Sequence, residues 1–261
     1  MEINNIKVSV IVPVKNGENT IRKTLNGVLN QKFKNIECIV VHGDSSDDTR
    51  KILDNEFSSL KTIHGKDKTI AEAMNKGIKI CSGALIWVLN SGDTYKYNTV
   101  LQAVEKFIQN PNKVLHGDMR VFFDNGNYYD EVVPKKPDMK IGMIINHPTM
   151  FIPKQLIDDH GGYDESFQIS SDWEICVRYS LKGVEFEKIS SDVLVDYEVG
   201  GISSQKPDVV IDEAHRIRKM YNLYNFIDLK YIKGKFLQLI FKNKLTIYSH
   251  KKKLFLFNNK N

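Results

Sequence analysis

Two aspartates stand where a carboxylate could do chemistry. Asp93 lies in the stretch LNSGDTY, directly after the apolar run ALIWVLN, and Asp172 follows Ser170 and Ser171 at the start of a helical pattern. A carboxylate can bind a hard cation such as Mg²⁺, which prefers oxygen ligands, or accept a proton as a general base. The alternatives are a turn former or helix cap for Asp93 and a helix N-cap for Asp172. Their chemistry therefore depends on whether the fold brings them to one site.

The elements around Asp93 alternate between strands and helices. The hydrophobic spacing predicts strands over residues 7–14, 36–41, 61–63 and 85–89, and helices over 18–31 and 69–81, with another after residue 48. This alternation predicts an α/β fold with a mostly parallel central sheet flanked by helices. Ligands bind such sheets at the carboxyl ends of the strands, where the clusters KNGEN, HGDSSDD and NSGDTY all fall. These three loops are therefore expected to share one edge.

Fewer regular units are predicted after Asp93. The pattern favours a helix ending at Asn110 and Pro111, strands in VLHGDM and RVFFD, and a hairpin turn at NGNYY, because Asn-Gly accommodates positive φ. A loop over residues 134–140 follows, then a strand in HPTMFIP, a short helix over 154–159 and a helix over 172–181. The last of these helices begins at the second candidate aspartate.

Segments within residues 7–178 resemble family 2 glycosyltransferases in order and in spacing. They are VSVIVPVKNGENTIRKTLNGVLNQKF, IVVHGDSSDDT, KTIAEAMNKGIKICSGALIWVLNSGD and HPTMFIPKQLIDDHGGYDESFQISSDWEICVR. The resemblance implies a GT-A fold, which is Rossmann-like, with a catalytic domain over residues 1–204. Within it, residues 1–118 would bind a nucleotide-diphosphate sugar and residues 119–204 would bind the acceptor.

The resemblance also implies a metal-dependent inverting transferase of the hexosyl or N-acetylhexosaminyl type, with Mn²⁺ or Mg²⁺ as cofactor. LNSGD resembles the metal motif and assigns the cation to Asp93, and ISSD assigns the general base to Asp172. Donor contacts are expected at Pro13, Val14, Asn16, Glu18, His42, Asp44, Asn75, Ser91 and Gly92. Asp67 could line the same donor site, His147 lies where related sequences place a histidine near the acceptor, and Trp173 could stack on an acceptor sugar.

Three of these candidates also have a structural interpretation. Asp67 could belong to a solvated charged turn, and His147 could be a histidine bonded to backbone. Trp173, on a predicted helix, could equally be a core residue.

Two features depart from the family pattern. Ser91 and Gly92 stand where many relatives carry further acids, so metal binding is expected to be weaker or to depend on the donor. His42 stands at the position that resembles a uracil-contacting aspartate, and a neutral imidazole presents one donor and one acceptor instead of two carboxylate oxygens. A UDP-sugar is the expected donor, with the identity of the base left open.

Composition indicates a folded protein of a reducing compartment. Apolar residues make up 41% of the chain and charged residues 26%, as in ordinary globular proteins. Cys38, Cys81 and Cys176 are far apart and form no C-x-x-C pair, which argues against zinc and disulfide scaffolds. The N-terminus lacks a signal-peptide pattern, and no apolar run reaches the roughly 18 residues of a membrane span. The expected location is cytoplasmic, with peripheral contact at the inner face of the plasma membrane as an option.

The positive charge of the chain is concentrated at its end. Residues 205–261 carry 13 Lys and Arg against 4 Asp and Glu, a net charge of +9, whereas the rest carries 24 against 28, a net of −4. This segment is predicted to be a basic, amphipathic helical extension. It could lie on an anionic membrane or pack on the main domain with its lysines outward. A nucleic-acid partner is not expected, because no RNA-binding motif is present.

These features favour an enzyme that extends a bacterial cell-surface polysaccharide from a nucleotide-sugar donor, with a glycan or lipid-linked acceptor. Two other classes stay open. The motif LNSGD, with Asp93 as its single acid, also fits a non-catalytic nucleotide-sugar-binding module. The basic segment 205–261 also fits a membrane-scaffold protein.

Overall fold

The computed structural model describes residues 2–122, 126–198 and 205–223. The chain divides into two compact units, Met1–Val199 and Gly200–Asn261. The predicted boundary between residues 204 and 205 lies five residues further along the chain and stays a prediction. In the second unit, the described residues contain one helix, α7 (Pro207–Met220). The basic amphipathic segment predicted from residue 228 onward lies outside the described residues.

The first unit alternates strands and helices along most of its length. Its described strands are β1 (Val8–Val14), β2 (Ile36–His42), β3 (Lys61–His64), β4 (Leu85–Val88), β5 (Thr94–Tyr95), β6 (Val114–Phe122), β7 (Tyr128–Glu131), β8 (Phe151–Pro153) and β9 (Phe186–Glu198). Its described α-helices are α1 (Ile21–Leu29), α2 (Thr49–Glu56), α3 (Ile70–Ile80), α4 (Thr99–Gln109), α5 (Lys154–His160) and α6 (Ser171–Leu181). Short 3-10 helices cover Ile3–Asn5 and His147–Thr149.

The described strands form one mixed sheet in the order β3-β2-β1-β4-β8-β6-β9-β5, with β7 beside β6. Strand β1 is parallel to β2 and β4, β2 is parallel to β3, and β6 is parallel to β9. Strand β8 is antiparallel to both β4 and β6, and so it starts at the carboxyl end of β4. The predicted α/β fold with a mostly parallel sheet is confirmed.

Strand β1 is buried along its whole length because helices cover both of its faces. Val10 and Val12 belong to the same hydrophobic cluster as Leu25 of α1. Ile11 points to the opposite face and lies under Gly77 of α3, where an added Cβ would come within 2.4 Å of Ile11 Cγ2. Gly77 therefore allows α3 to lie close to the sheet.

The second half of the unit differs from the prediction in three places. Residues 114–122, from VLHGDM and the start of RVFFD, form one continuous strand, β6, so the predicted boundary between residues 118 and 119 falls inside a strand. The rest of RVFFD lies outside the described residues. HPTMFIP is a 3-10 helix followed by the three residues of β8. Strand β9 was not predicted, although it pairs with β6 over most of its length. The two predicted halves therefore share one sheet.

Within the described ranges, every helix is too short or too polar to cross a membrane.

Glu37 joins neighbouring strands at the amino edge of the sheet. Its Oε1 accepts hydrogen bonds from Ser9 Oγ at 2.5 Å, Ser82 N at 2.5 Å and Gly83 N at 3.0 Å. Lys7 Nζ lies 3.4 Å from Oε2. Partial burial acts to raise the pKa of Glu37, but the hydrogen bonds and the lysine charge outweigh it and lower the pKa to about 2. The ionised carboxylate therefore stabilises the folded state.

Replacing Glu37 by glutamine is expected to lower the free energy of unfolding by about 1–2 kcal/mol near neutral pH, allowing for solvent screening. Because the folded pKa is depressed, this contribution is fully present above the ordinary value of 4.5 and is lost as the pH falls toward about 2. Urea denaturation of both proteins at about pH 7 and about pH 3 measures the difference. The gap between them should shrink at the lower pH, and an equal gap at both values would contradict the assignment.

Candidate functional site

The carboxyl ends of β1, β2 and β4 lie at one edge of the sheet, because these strands are parallel neighbours. The loops after β1 and β2 are joined by hydrogen bonds. Asn16 N donates to Ser45 Oγ at 2.9 Å, and Glu18 Oε2 accepts from Asp48 N at 3.0 Å. Asn16 has a φ of 53°, in the left-handed region that asparagine tolerates. Asn16 and Glu18, predicted to bind the donor, thus shape the loops of this edge.

The Asp93 turn, residues 90–93 after β4, is fixed by the start of α1. Ser91 Oγ lies 2.7 Å from Thr20 Oγ1, and Gly92 N donates to Thr24 Oγ1 at 2.9 Å. Gly92 has a φ of 119°, which a residue with a side chain rarely adopts. Asp93 itself is 4% exposed. The turn therefore holds the carboxylate in a defined place at the edge of the sheet.

The two threonines were missed by the sequence analysis. Thr20 and Thr24 are four residues apart, so their hydroxyls share one face of α1, and that face meets the Asp93 turn. The spacing could be seen in the sequence, but nothing in it shows which loop the face meets.

A second group of candidates reaches the same edge through β8. The 3-10 helix before β8 lies against the carboxyl end of β4, where Trp87 Nε1 donates to Pro148 O at 2.9 Å. His147 in this helix is buried, and its Nε2 lies 3.0 Å from Tyr163 Oη. Burial lowers the pKa of His147, and the charge of Asp172 opposes this shift. Asp172 is therefore near enough to His147 to act on its charge.

Asp172 lies in the first turn of α6 and is half-buried. Its Oδ1 accepts a hydrogen bond from Trp173 N at 2.8 Å. A helix N-terminus favours a negative charge, so this position suits an ionised carboxylate. The charge of Asp172 thus acts on His147, which lies in the 3-10 helix at the carboxyl end of β4. That Asp172 and Asp93 share one site stays a prediction.

His42 ends β2 and is 4% exposed. Its Nδ1 lies 3.0 Å from His64 Nδ1, and its Nε2 lies 3.0 Å from Ser45 Oγ. Burial, and then the nearby His64, lower the pKa of His42, which keeps the ring neutral. Both ring nitrogens are engaged inside the protein, and Pro13 and Val14 are buried at the adjacent end of β1. The predicted donor contacts of these three residues stay predictions.

Two further acids predicted at the donor site take part in ion pairs. Asp44, after β2, is exposed, and its Oδ2 lies 3.3 Å from Lys66 Nζ. Asp67, after β3, has a largely buried side chain whose Oδ1 lies 2.6 Å from Lys76 Nζ. Both follow parallel strands and thus belong to the same edge as the other candidates.

Asn75 and Trp173 have structural contacts that the sequence did not reveal. Asn75 Nδ2 donates to Tyr163 O at 2.8 Å, and Asn75 Oδ1 accepts from Tyr163 N at 3.0 Å. Trp173 is 4% exposed, and its Nε1 donates to Met139 O at 2.7 Å. The burial of Trp173 favours a packing role over the predicted stacking on an acceptor sugar.

The metal site expected at Asp93 can be tested against the ligands present. Across residues 2–122, 126–198 and 205–223, no group of three or more His, Cys, Asp or Glu could hold a metal ion. Mg²⁺ usually keeps several waters and takes only one or two protein carboxylates together with substrate phosphates. Asp93 therefore fits a cation site that a diphosphate completes, and does not fit one made by protein ligands alone.

Parallel strands whose polar loops meet at the carboxyl edge define an α/β protein that binds its ligand at that edge. Residues 9–163 match the model of glycosyl transferase family 2, and the chain belongs to this family.

Two relatives have a described activity. WfgD and WfaP of Escherichia coli are both described as UDP-Glc:alpha-D-GlcNAc-diphosphoundecaprenol beta-1,3-glucosyltransferases. WfgD is 32% identical over 131 residues, which cover 49% of this chain and 52% of WfgD. WfaP is 26% identical over 227 residues, which cover 82% of this chain and 86% of WfaP. By contrast, the matches to three uncharacterised Rickettsia glycosyltransferases span only 29%, 62% and 31% of those proteins.

The fold is also similar to solved structures. The crystal structure of S. aureus TarS 1-349 matches with a TM-score of 0.65 and 19% identity, covering 92% of this chain and 73% of that one. The same protein in complex with UDP matches with a TM-score of 0.62. At this identity the likeness supports the fold alone.

Proposed function

We propose that this chain is an inverting glycosyltransferase that moves a sugar from a UDP-sugar to a hydroxyl group of a glycan or lipid-linked acceptor in bacterial cell-surface polysaccharide synthesis. The observation that carries the proposal is the position of Asp172 in the first turn of α6, half-buried and with its charge acting on the buried His147. Membership of family 2 and the descriptions of WfgD and WfaP support the donor and acceptor classes. The sugar moved is a hexose or an N-acetylhexosamine.

Asp172 is the general base of this reaction. Its carboxylate takes the proton of the acceptor hydroxyl while that oxygen attacks the anomeric carbon. The bond from the anomeric carbon to the diphosphate breaks on the opposite face, and its electron pair leaves with the phosphate oxygen. Attack and departure on opposite faces invert the configuration in a single displacement, by the geometry that applies to inverting glycosidases.

Asp93 would hold the divalent cation, Mn²⁺ or Mg²⁺, at a site that the phosphates of the donor would complete. When bound, such a cation offsets the negative charge that develops on the leaving diphosphate. The loops of Asn16, Glu18 and Asp44 lie at the same edge and surround the nucleotide. The protein works at the cytoplasmic face of the membrane, where the basic residues after 205 contact anionic lipid near a lipid-linked acceptor.

A thermal-shift screen tests the donor and the cation together. UDP with Mn²⁺ is expected to raise the melting temperature by more than either alone, because a ligand that binds only the folded state stabilises it. At a hundredfold excess over its Kd, a ligand adds roughly 2.7 kcal/mol to the free energy of unfolding. ADP and GDP serve as matched controls, since they differ only in the base. A larger shift with either of these would contradict a UDP-sugar donor.

Turnover then tests the reaction itself. UDP-glucose and UDP-N-acetylglucosamine are incubated with a GlcNAc-diphospho-lipid, the acceptor class in the descriptions of WfgD and WfaP, and release of UDP is followed. The proposal expects transfer with inverted configuration. Tight UDP binding without transfer or donor hydrolysis would instead indicate a non-catalytic nucleotide-sugar-binding protein. Liposome binding with no nucleotide binding would indicate a membrane scaffold.

A further inference from the structure

The loop after α5, residues 161–165, is held by side chains from two different helices. One is α3, in the half predicted to bind the donor, and the other is α6, which carries Asp172. We propose that Asn75 and Arg178 act as a clasp on this loop, which positions Tyr163 against the buried His147. In this role Asn75 is a positioning residue of the acceptor side and not a contact of the nucleotide.

The first half of the clasp is Arg178. Its guanidinium donates to three successive carbonyl groups, those of His160, Gly161 and Gly162, with the last at 2.5 Å. Glu174 holds the guanidinium through two hydrogen bonds, from Arg178 Nε to Glu174 Oε1 at 2.8 Å and from Arg178 Nη2 to Glu174 Oε2 at 3.0 Å. A bidentate pair of this kind fixes the orientation of an arginine. Since Glu174 is 1% exposed, the arginine is anchored in the interior of the protein.

The second half of the clasp is Asn75. The side-chain amide of Asn75 donates to Tyr163 O at 2.8 Å and accepts from Tyr163 N at 3.0 Å. A neighbouring strand would make the same pair of hydrogen bonds. The second N–H of Asn75 Nδ2 donates to Glu165 Oε1 at 2.9 Å. Both N–H groups of this amide are therefore used on the loop. A Cβ at Gly162 would come within 2.6 Å of Asn75 Oδ1, so the approach requires glycine there.

Tyr163 connects the clasped loop to His147 of the candidate site. Its side chain is 4% exposed, and its ring meets that of His147 edge to face, with centroids 5.8 Å apart. Its hydroxyl lies 3.0 Å from His147 Nε2. Burial, and to a smaller extent the charge of Asp172, raise the pKa of Tyr163, which keeps the phenol neutral as a hydrogen-bonding partner. The backbone that Asn75 fixes is thus the backbone of the residue that orients His147.

Hydrogen exchange tests the clasp without any substrate. Asn75→Ala is expected to speed exchange of the Tyr163 amide by about tenfold, the equivalent of one net hydrogen bond, while UDP affinity measured by calorimetry stays within about twofold of wild type. Asn26→Ala is the matched control, because Asn26 is an exposed asparagine on α1. It should change neither quantity. Unchanged exchange in Asn75→Ala would overturn the clasp, and weaker UDP binding with unchanged exchange would show that Asn75 contacts the nucleotide.

The kinetic consequence rests on the proposed function. With UDP-glucose and a GlcNAc-diphospho-lipid, Asn75→Ala should raise the KM for the acceptor or lower kcat by about tenfold and leave the KM for UDP-glucose unchanged. Tyr163→Phe keeps the ring in place and removes the bond to His147, so it should lower the transfer rate with normal exchange in the loop. A wild-type chain with no transfer would refute the proposed function, whereas the exchange experiment would still decide the clasp. A raised KM for UDP-glucose, with kcat and the KM for the acceptor unchanged, would contradict the clasp.

Discussion

Replacing Asp172 by asparagine is expected to lower the rate of sugar transfer by roughly 10²–10⁴-fold, the usual contribution of a general base. Asparagine has nearly the same shape and keeps an oxygen that can accept the hydrogen bond from Trp173 N, now 2.8 Å from Oδ1. It cannot take a proton from the acceptor hydroxyl. The fold and the affinity for UDP should therefore remain close to those of wild type, so that the loss falls on kcat.

Asp208→Asn provides the control for this experiment, because Asp208 is an exposed acid in the first turn of another helix, α7. It removes the same charge from the same kind of position and should leave transfer unchanged. Melting temperature and UDP binding are measured for both variants alongside the rate. If Asp172→Asn kept more than about a tenth of the wild-type rate, Asp172 would not be the general base.

The sequence predicted the parts of the fold that depend on local patterns. Strands β1 and β4 are buried throughout, and β2 is buried from Cys38 onward; buried parallel strands of this type appear in the sequence as nearly continuous hydrophobic runs. Once their parallel order is inferred from the intervening helices, the loops after them must meet at one edge. That reasoning placed the Asp93 turn correctly at the carboxyl edge of the sheet without knowledge of any contact.

The features that the sequence did not predict depend on contacts between distant parts of the chain. Strand β9 contains Ser190, Ser191 and Asp192 in its middle, so its pattern does not resemble a buried strand, and it forms because β6 offers a parallel edge. The contacts of Asn75 join residues separated by 88 positions, and nothing in EAMNKG indicates its partner. Trp173 lies in the core because of contacts from another part of the chain, where the carbonyl of Met139 accepts its N–H.

Replacing Asp93 by asparagine is expected to abolish the Mn²⁺-dependent part of UDP binding and to lower transfer by roughly 10²–10³-fold, the scale seen when electrostatic stabilisation of a developing charge is lost. The reason is that Asp93 is the carboxylate that the strand β4 delivers to the edge, with Ser91 and Gly92 beside it in place of further acids. An amide oxygen is a weaker ligand for a hard cation than a carboxylate. Burial, and then the charge of Asp93, raise the pKa of Tyr95, so its phenol stays neutral beside this carboxylate.

The measurement compares thermal shifts with UDP, Mn²⁺ and both, for wild type and variant. Asp192→Asn is the control. Asp192 is an exposed acid on β9, outside the loops of the carboxyl edge, and its Oδ2 accepts a hydrogen bond from Gln102 Nε2 at 2.8 Å. In wild type, UDP and Mn²⁺ together should stabilise more than the sum of their separate effects, because each completes the site of the other. In Asp93→Asn the shift with UDP alone should persist while the added effect of Mn²⁺ disappears. Retention of that added effect would show that the cation binds elsewhere, and the role assigned to Asp93 would then be wrong.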